Sequence, residues 1–290
     1  MSARAILVAA LLMVLPGAVS AQAVKDKPQV TLDAGTAYIM YTAKAPAALE
    51  LIREPTEADV AAYNTRRKTA LDKAHGKYLR KIKDWQTQVA AHKANPGLPL
   101  VGTEPIEPTE ANFSFPPIEF DMIVAMGPLN RFSKADDMSV YLQAVPPGNY
   151  RVYGPIFVGV DNTVAAGVCM CMGTVQFRAE AGAITNVGTL RFPLLDAILA
   201  AKASGGEKPK TALDLPDGTT SFAIVPAAAG AAVDPRIGSY PVKPALYRGA
   251  GKMPNWYGIE VDRLTAMPGV LAYDRDRIVD LTGAPPATNH

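Results

Sequence analysis

Two hydrophobic periodicities divide this chain, and together they predict a β-rich fold interrupted by one long helix. Short runs in which apolar and polar residues alternate are typical of strands with one buried face. Such alternation occurs at residues 118–124, 138–144 and 174–179, and further strands are predicted at 37–43, where Tyr, Ile and Thr suit a pleated sheet, and at 51–53, 150–153, 184–192, 219–225 and 270–273. The 25 prolines and 23 glycines are scattered and indicate many turns between the runs. We therefore expect a mainly β protein, an antiparallel β-sandwich with a long inserted helix and an extended C-terminal region.

Residues 56–95 break the strand pattern and predict a helix inserted early in the sheet order. Thr56 is a favoured N-cap residue with Asp59 three positions later, and Asn95-Pro96-Gly97 ends the segment. A continuous helix of this length would extend about 57 Å, at 1.5 Å per residue. A break at Gly76 into two shorter helices is the alternative, because a glycine inside a helix costs about 1 kcal/mol relative to alanine.

Apolar side chains at alternating spacings of three and four form a narrow stripe along this helix, called the seam below. The seam consists of Leu71, Tyr78, Ile82, Trp85 and Val89, with His75 and His92 in the same stripe. This spacing is typical of a coiled coil, and it favours contact with an unknown envelope protein or with a second copy of the chain. Packing on the protein's own sheet is the alternative. Nine basic and four acidic side chains also make the helix strongly basic, as a contact with an anionic envelope surface would require.

The N-terminal 21 residues have the pattern of a cleavable export signal. A positive charge at Arg4 precedes an apolar run at residues 6–15, and small residues lead to a predicted cleavage between Ala21 and Gln22. The apolar run is too short to span a bilayer, which needs about 20 residues. We therefore expect a periplasmic protein that is not membrane-spanning after the signal is removed.

Composition shifts predict the domain organisation. A β-sandwich domain is expected at residues 22–203, with the helical insertion at 56–95 and a short helix at 194–203. A Gly- and Lys-rich linker at 204–210 leads to an extended or β region at 211–290, which ends in a disordered tail. The formal net charge of +2 argues against a general nucleic-acid surface.

The segment Cys169-Met170-Cys171-Met172 contains the two cysteines of the chain and two of its ten methionines. In an extended backbone the cysteine Cβ atoms would be about 6.6 Å apart. A disulfide needs about 3.8 Å, so a straight segment excludes it and a bent one allows it. Three interpretations stay open: a disulfide between Cys169 and Cys171, buried free thiols, and a Cu(I) site formed by the four sulfur side chains.

Motifs for enzymatic chemistry are missing from the sequence. There is no G-x-S-x-G nucleophile motif, no phosphate-binding loop and no dinucleotide fingerprint. The three histidines lie on the predicted helix and at the C-terminal residue, where no nucleophile with a neighbouring base is indicated. We therefore predict no catalytic residues and no enzyme activity.

Two segments of the β region resemble a known class of module. The predicted hairpin at residues 140–152, VYLQAVPPGNYRV, resembles the strand, PPG turn and Y-x-V strand of prealbumin-like and carboxypeptidase-regulatory-like β-sandwich modules. The predicted pairing of residues 175–182 with 184–188 is similar to that in exported bacterial domains of unknown function. The resemblance covers residues 138–192, under a fifth of the chain. It implies a seven- or eight-stranded sandwich with a binding or structural role and no catalytic residues.

These patterns together favour a non-enzymatic periplasmic binding or interaction module associated with the cell envelope. The alternative is a copper-binding or thiol-redox protein that uses Cys169 and Cys171.

Overall fold

The computed structural model describes two compact units. The described residues are 21–44, 48–99, 102–135, 137–155, 168–169, 172–209, 220, 222–256, 258, 260–261, 263–275 and 277–283. Residues 52–123 form the helical unit, and the described residues on either side of them form the β unit. The predicted signal sequence before Ala21 and the last seven residues lie outside the described ranges.

Short strands make up most of the regular structure, as the alternating pattern predicts. In chain order they are β1 (Gln22–Ala23), β2 (Ala37–Ala43), β3 (Leu49–Arg53), β4 (Ile123–Met126), β5 (Ser133–Ala135), β6 (Met138–Val145), β7 (Gly148–Gly154), β8 (Val168–Cys169), β9 (Val175–Ala179), β10 (Ile184–Arg191), β11 (Ala223–Val225), β12 (Val242–Pro244), β13 (Arg248–Gly249), β14 (Glu260–Val261), β15 (Leu271–Asp274) and β16 (Arg277–Asp280). The helices are α1 (Glu57–Ala94) and α2 (Pro193–Ser204).

Two larger sheets carry most of these strands. The first has the order β1-β6-β2-β10-β11, with β5 beside β6 and β12 beside β10, and the second has the order β13-β9-β7-β3-β4. The first sheet is mixed, because β10 runs parallel to both β2 and β12. Two further pairs, β8 with β14 and β15 with β16, complete the described strands.

The two sheets share one hydrophobic core, which confirms the predicted β-sandwich with a helical insertion. Alternate residues of β2, including Ile39 and Tyr41, meet Tyr150, Val152 and Phe177 of the second sheet in this core. Tyr41 stacks on Tyr141 of the neighbouring strand, with ring centroids 4.7 Å apart. Burial raises the pKa of Tyr41, so its hydroxyl stays protonated.

Two predicted hairpins are wrong, although their strands are present. β6 belongs to the first sheet and β7 to the second, so the turn at Pro146 and Pro147 crosses between sheets. β9 and β10 are divided in the same way across Gly182. Prolines donate no backbone N–H, and a paired ladder therefore cannot begin at the Pro-Pro turn. The Tyr150 hydroxyl donates to the Pro146 carbonyl at 2.6 Å and holds this turn.

Gly188 allows β10 to pass close to a crossing segment. The β2–β10 register shifts between Asn186 and Gly188, and Gly188 has a φ of +97°. An added Cβ there would lie 3.0 Å or less from backbone atoms of residues 225–227. Any other residue at this position would therefore have a strained backbone, and its side chain would collide with residues 225–227.

α1 forms as a single helix, without the break at Gly76 that the sequence left open. Thr56 and Asp59 form a capping box, in which each side chain accepts from the other residue's backbone N–H. Burial raises the pKa of Asp59, but hydrogen bonds from Thr56 and from Arg53 outweigh it and lower that pKa below its usual value. The charged carboxylate thus supports the first turn of the helix.

The predicted strand at residues 118–124 is wrong over most of its length. Residues Ile118–Met122 form a 3-10 helix, and β4 begins only at Ile123. Pro117 fixes the backbone before this turn, which buries Met122 and leaves Phe120 40% exposed. The tight turn also brings the Asp121 carboxylate to the Arg66 guanidinium within the same unit.

A second apolar cluster covers the outer face of the first sheet. Tyr38, Met40, Leu142 and Ile184 pack there beneath Ile237 from the C-terminal region. β2 is therefore buried on both faces, which explains why its polar positions are so few. The described part of residues 211–290 also supplies β11, β12 and β13 to the two sheets.

Arg236 joins three separate segments over this outer face. Its guanidinium donates to both carboxylate oxygens of Asp234, at 2.9 and 2.7 Å, and to Asp26 at 2.6 Å. It also lies 4.7 Å from the Phe132 ring centroid, a cation–π distance. The hydrogen bonds from Arg236 lower the pKa of Asp234 to about 2.

We expect Arg236→Ala to lower the melting temperature of the protein at pH 7 by about 3–6 °C, since charge-assisted hydrogen bonds to Asp234 and Asp26 are lost. Differential scanning calorimetry measures this change. Arg131→Ala is the control, because Arg131 is exposed and forms no ion pair with a described residue.

The difference in melting temperature between wild type and Arg236→Ala should also depend on pH. The pKa of Asp234 is about 2 in the folded protein and ordinarily 3.8. The charged carboxylate therefore contributes fully to the free energy of unfolding above about pH 4, and this contribution is lost as the pH falls toward 2. The gap between wild type and Arg236→Ala should therefore narrow between pH 4 and pH 2. A constant gap would contradict the assigned ion pair.

Candidate functional site

The sulfur segment lies at the end of β8, and the structure describes only part of it. The Val168–Cys169 backbone pairs in parallel with Glu260–Val261. Met172 is buried and has a φ of +41°, so the chain turns directly after the segment. Met170 and Cys171 lie outside the described residues. The disulfide, the free thiols and the Cu(I) site therefore stay predictions.

A further methionine packs against the turn that follows the sulfur segment. The Met253 N–H donates to the Met172 carbonyl at 2.8 Å. A Cβ added at Gly173 would lie 2.6 Å from the Met253 sulfur, and Gly173 has a φ of +71°. Glycine is thus required here for both the backbone conformation and the close approach of Met253. Among the described residues, no three or more His, Cys, Asp or Glu side chains are grouped so that they could hold a metal ion.

The helix seam is half-buried along its length, and no residue of α1 is fully buried. The chain that follows the helix, residues 102–122 and here called the return segment, contacts this stripe at His75 and Trp85. The seam and the return segment belong to the same unit, so the helical unit provides its own cover for the stripe that was predicted to contact a partner.

Polar contacts hold the return segment antiparallel to α1. The Tyr63 hydroxyl donates to the Pro116 carbonyl at 2.9 Å, and the Trp85 indole N–H donates to the Gly102 carbonyl at 2.9 Å. His75 Nε2 lies 3.1 Å from a Glu107 carboxylate oxygen between these two points. These contacts involve residues spread over 22 positions of the helix, a length of about 33 Å at 1.5 Å per residue.

Aromatic and ionic contacts add to this interface near the start of the helix. The Tyr63 and Phe115 rings meet edge to face with centroids 5.4 Å apart. The Arg66 guanidinium pairs with Asp121, and Arg67 pairs with Glu110. Arg67 also donates to the Glu110 backbone carbonyl at 3.2 Å.

Charge complementarity between helix and return segment is a signal that the sequence analysis missed. Residues 102–122 contain five acidic side chains and no basic one, directly after a helix with nine basic and four acidic side chains. Three of the five acids, Glu107, Glu110 and Asp121, contact the helix. The opposite charge of two consecutive segments would have predicted that they pack together.

Four cations on another side of α1 have no such partner. Lys73, Lys77, Arg80 and Lys81 follow the spacing of residues that share one side of a helix, and all are exposed. We call this set the basic face. None of the four forms an ion pair with a described residue: Asp72, which directly precedes Lys73, pairs with Lys68, and Asp84 lies four residues after Arg80 on the same side of the helix.

Comparison of the chain with protein-family models, with curated proteins and with solved structures finds no match. In the part of the chain that the structure describes, no helix combines the length and the hydrophobicity needed to cross a bilayer.

Replacing residues 102–117 by a glycine–serine sequence of equal length should uncover the seam. We expect the variant to self-associate, because Tyr78, Ile82, Trp85 and Val89 then present an apolar stripe to solvent. Light scattering across a concentration series measures the mass, and circular dichroism measures the helix content.

The same replacement at residues 204–209 serves as the control, because these residues are exposed or half-buried and lie in no strand. It should leave the mass unchanged. A return-segment variant that keeps both the mass and the helix content of wild type would show that the return segment does not cover the seam.

Proposed function

We propose that this protein is an exported, non-enzymatic binding module that attaches to an anionic surface of the cell envelope through the basic face of α1. The observation that carries the proposal is four exposed cations, Lys73, Lys77, Arg80 and Lys81, on one side of the helix without an ion-pair partner among the described residues. The expected ligands are the phosphate headgroups of anionic lipids, to which lysine and arginine clusters are attracted.

The seam is the less favoured binding surface, because its polar groups already have partners. The indole N–H of Trp85 and the ring of His75 are engaged by the return segment, as is the hydroxyl of Tyr63. A partner helix would have to displace these contacts together with the ion pairs at Arg66 and Arg67. The basic face binds an anion without any such displacement.

Attachment through the basic face would be electrostatic and peripheral. A helix that inserts into the interface needs a broad apolar face opposite its charges, and in α1 the apolar stripe is narrow and covered. The contribution of each cation near an anionic surface is about 1 kcal/mol, and it decreases with ionic strength. Binding should therefore be reversible and sensitive to salt.

The proposal also retains the exported location predicted from residues 1–21 and the resemblance to prealbumin-like modules at residues 138–192. In this proposal the helical unit carries the binding surface. Self-association through the seam is the competing possibility for the same unit.

The test is co-sedimentation of the chain, expressed without residues 1–21, with vesicles containing 40% phosphatidylglycerol. We expect binding at low salt, loss of binding in 0.5 M NaCl, and none to phosphatidylcholine vesicles. A variant with glutamine at Lys73, Lys77, Arg80 and Lys81 should partition at least tenfold more weakly, since four attractive charges are removed. Glutamine has a helix propensity similar to that of lysine, so α1 should be preserved.

The matched control replaces four exposed lysines elsewhere, Lys25, Lys202, Lys208 and Lys252, by glutamine. It removes the same net charge and should bind almost as well as wild type. Equal weakening in both variants would mean that net charge alone attracts the protein, and the basic face would then not be the binding surface.

A further inference from the structure

A cleft of about 680 Å³ lies in the β unit, where β9 and β13 meet the chain that connects the two sheets. Arg178, Lys243 and Arg248 contribute cationic side chains to its wall, Glu180 contributes one carboxylate, and Asn149, Gln176 and Thr185 contribute polar side chains. Its volume is within the range of small-molecule sites. The cleft is separate from the helical unit, so it is independent of the function proposed above.

Strand register places the two arginines on one face of the sheet. Val175, Phe177 and Ala179 of β9 point into the core, so Gln176 and Arg178 point outward. Arg248 of β13 lies directly opposite Gln176. Arg178 and Arg248 are thus diagonal neighbours across two strands, with Cα atoms about 7–8 Å apart.

The charges of this face are not balanced. Lys243 pairs with Glu180 at 2.8 Å, but Arg178 and Arg248 form no ion pair with any described residue. Hydrogen bonds from Gly249 N and from Thr282 N and Oγ1 occupy the Asp280 carboxylate. These hydrogen bonds and the charge of Arg248 together lower the pKa of Asp280. Glu180 also lies near enough to Arg178 for that charge to lower its pKa, but three cations line the wall against this one carboxylate, so the wall carries an excess of positive charge.

The rest of the wall supplies an apolar surface beside these charges. Leu246 is 81% exposed, and the half-buried Pro244 at the end of β12 also lines the cleft. A ligand that combines an anionic group with an apolar body would cover Leu246 while it neutralises the arginines. A neutral ligand would leave the excess positive charge of the wall without compensation.

We propose that this cleft binds a small organic phosphate, a phosphate monoester whose oxygens are held by Arg178 and Arg248 and whose organic part packs on Leu246 and Pro244. The guanidinium group is suited to this task because it donates two parallel hydrogen bonds to phosphate oxygens. Arg178 and Arg248 are 70 residues apart in the sequence, and only the pairing of β9 with β13 brings them together.

The test uses phenyl phosphate as the probe and isothermal titration calorimetry on the intact chain. Binding is expected for phenyl phosphate, at least tenfold weaker binding for inorganic phosphate, and none for phenol. Arg178→Gln and Arg248→Gln should each weaken the binding of phenyl phosphate at least tenfold. Leu246→Ser should reduce the preference for phenyl phosphate over inorganic phosphate.

Arg131→Gln is the matched control, because Arg131 is an exposed and unpaired arginine of the same unit outside the cleft, and it should bind like wild type. Backbone amide shifts on addition of phenyl phosphate should concentrate in β9, β13 and residues 243–248. The melting temperatures of the two arginine variants should not fall, since each removes a like charge. Absence of phenyl phosphate binding, or binding that both variants retain, would overturn the proposal whatever the vesicle experiment shows.

Discussion

The helical unit depends on the cover that the return segment provides for the seam of α1. A 38-residue helix with no fully buried residue cannot be held by a hydrophobic core of its own. The return segment supplies what is missing, with an indole hydrogen bond at Trp85, a ring contact at Tyr63 and carboxylates for the arginines. Each surface ion pair alone contributes little, so the unit relies on many contacts acting along the whole length.

This arrangement also divides the charges of α1 into two groups. Two cations near the start of the helix, Arg66 and Arg67, are neutralised by the return segment. The four cations of the basic face form no ion pair with a described residue and keep their charge. The helical unit thus has one apolar stripe that the return segment contacts and one cationic face. That asymmetry is the physical basis of the proposed attachment to an anionic surface.

The sequence predicted individual elements better than it predicted their neighbours. The strand-favouring residues at 37–43 and the Thr56–Asp59 cap are local signals, and both elements occur as expected. Alternation shows which side of a strand is buried but not which strand lies beside it, so the turns at Pro146 and Gly182 were interpreted as hairpins. In the structure they cross between the sheets.

The candidate sites show the same limit. The seam follows from spacing within one helix, whereas its cover depends on a proline-rich segment without hydrophobic periodicity. The cleft depends on Arg178 and Arg248, which no motif connects and which only strand pairing brings together. Charge was the available signal for the return segment, because five acids directly follow a basic helix.

The most direct measurement of the central claim is the accessibility of Trp85, the indole under the return segment. In a Trp256→Phe protein the fluorescence reports Trp85 alone, because the chain has two tryptophans. The account predicts blue-shifted emission and an acrylamide quenching constant at least twofold lower than in the same protein with residues 102–117 replaced by glycine and serine. Emission typical of a fully hydrated indole, with equal quenching in both proteins, would contradict it.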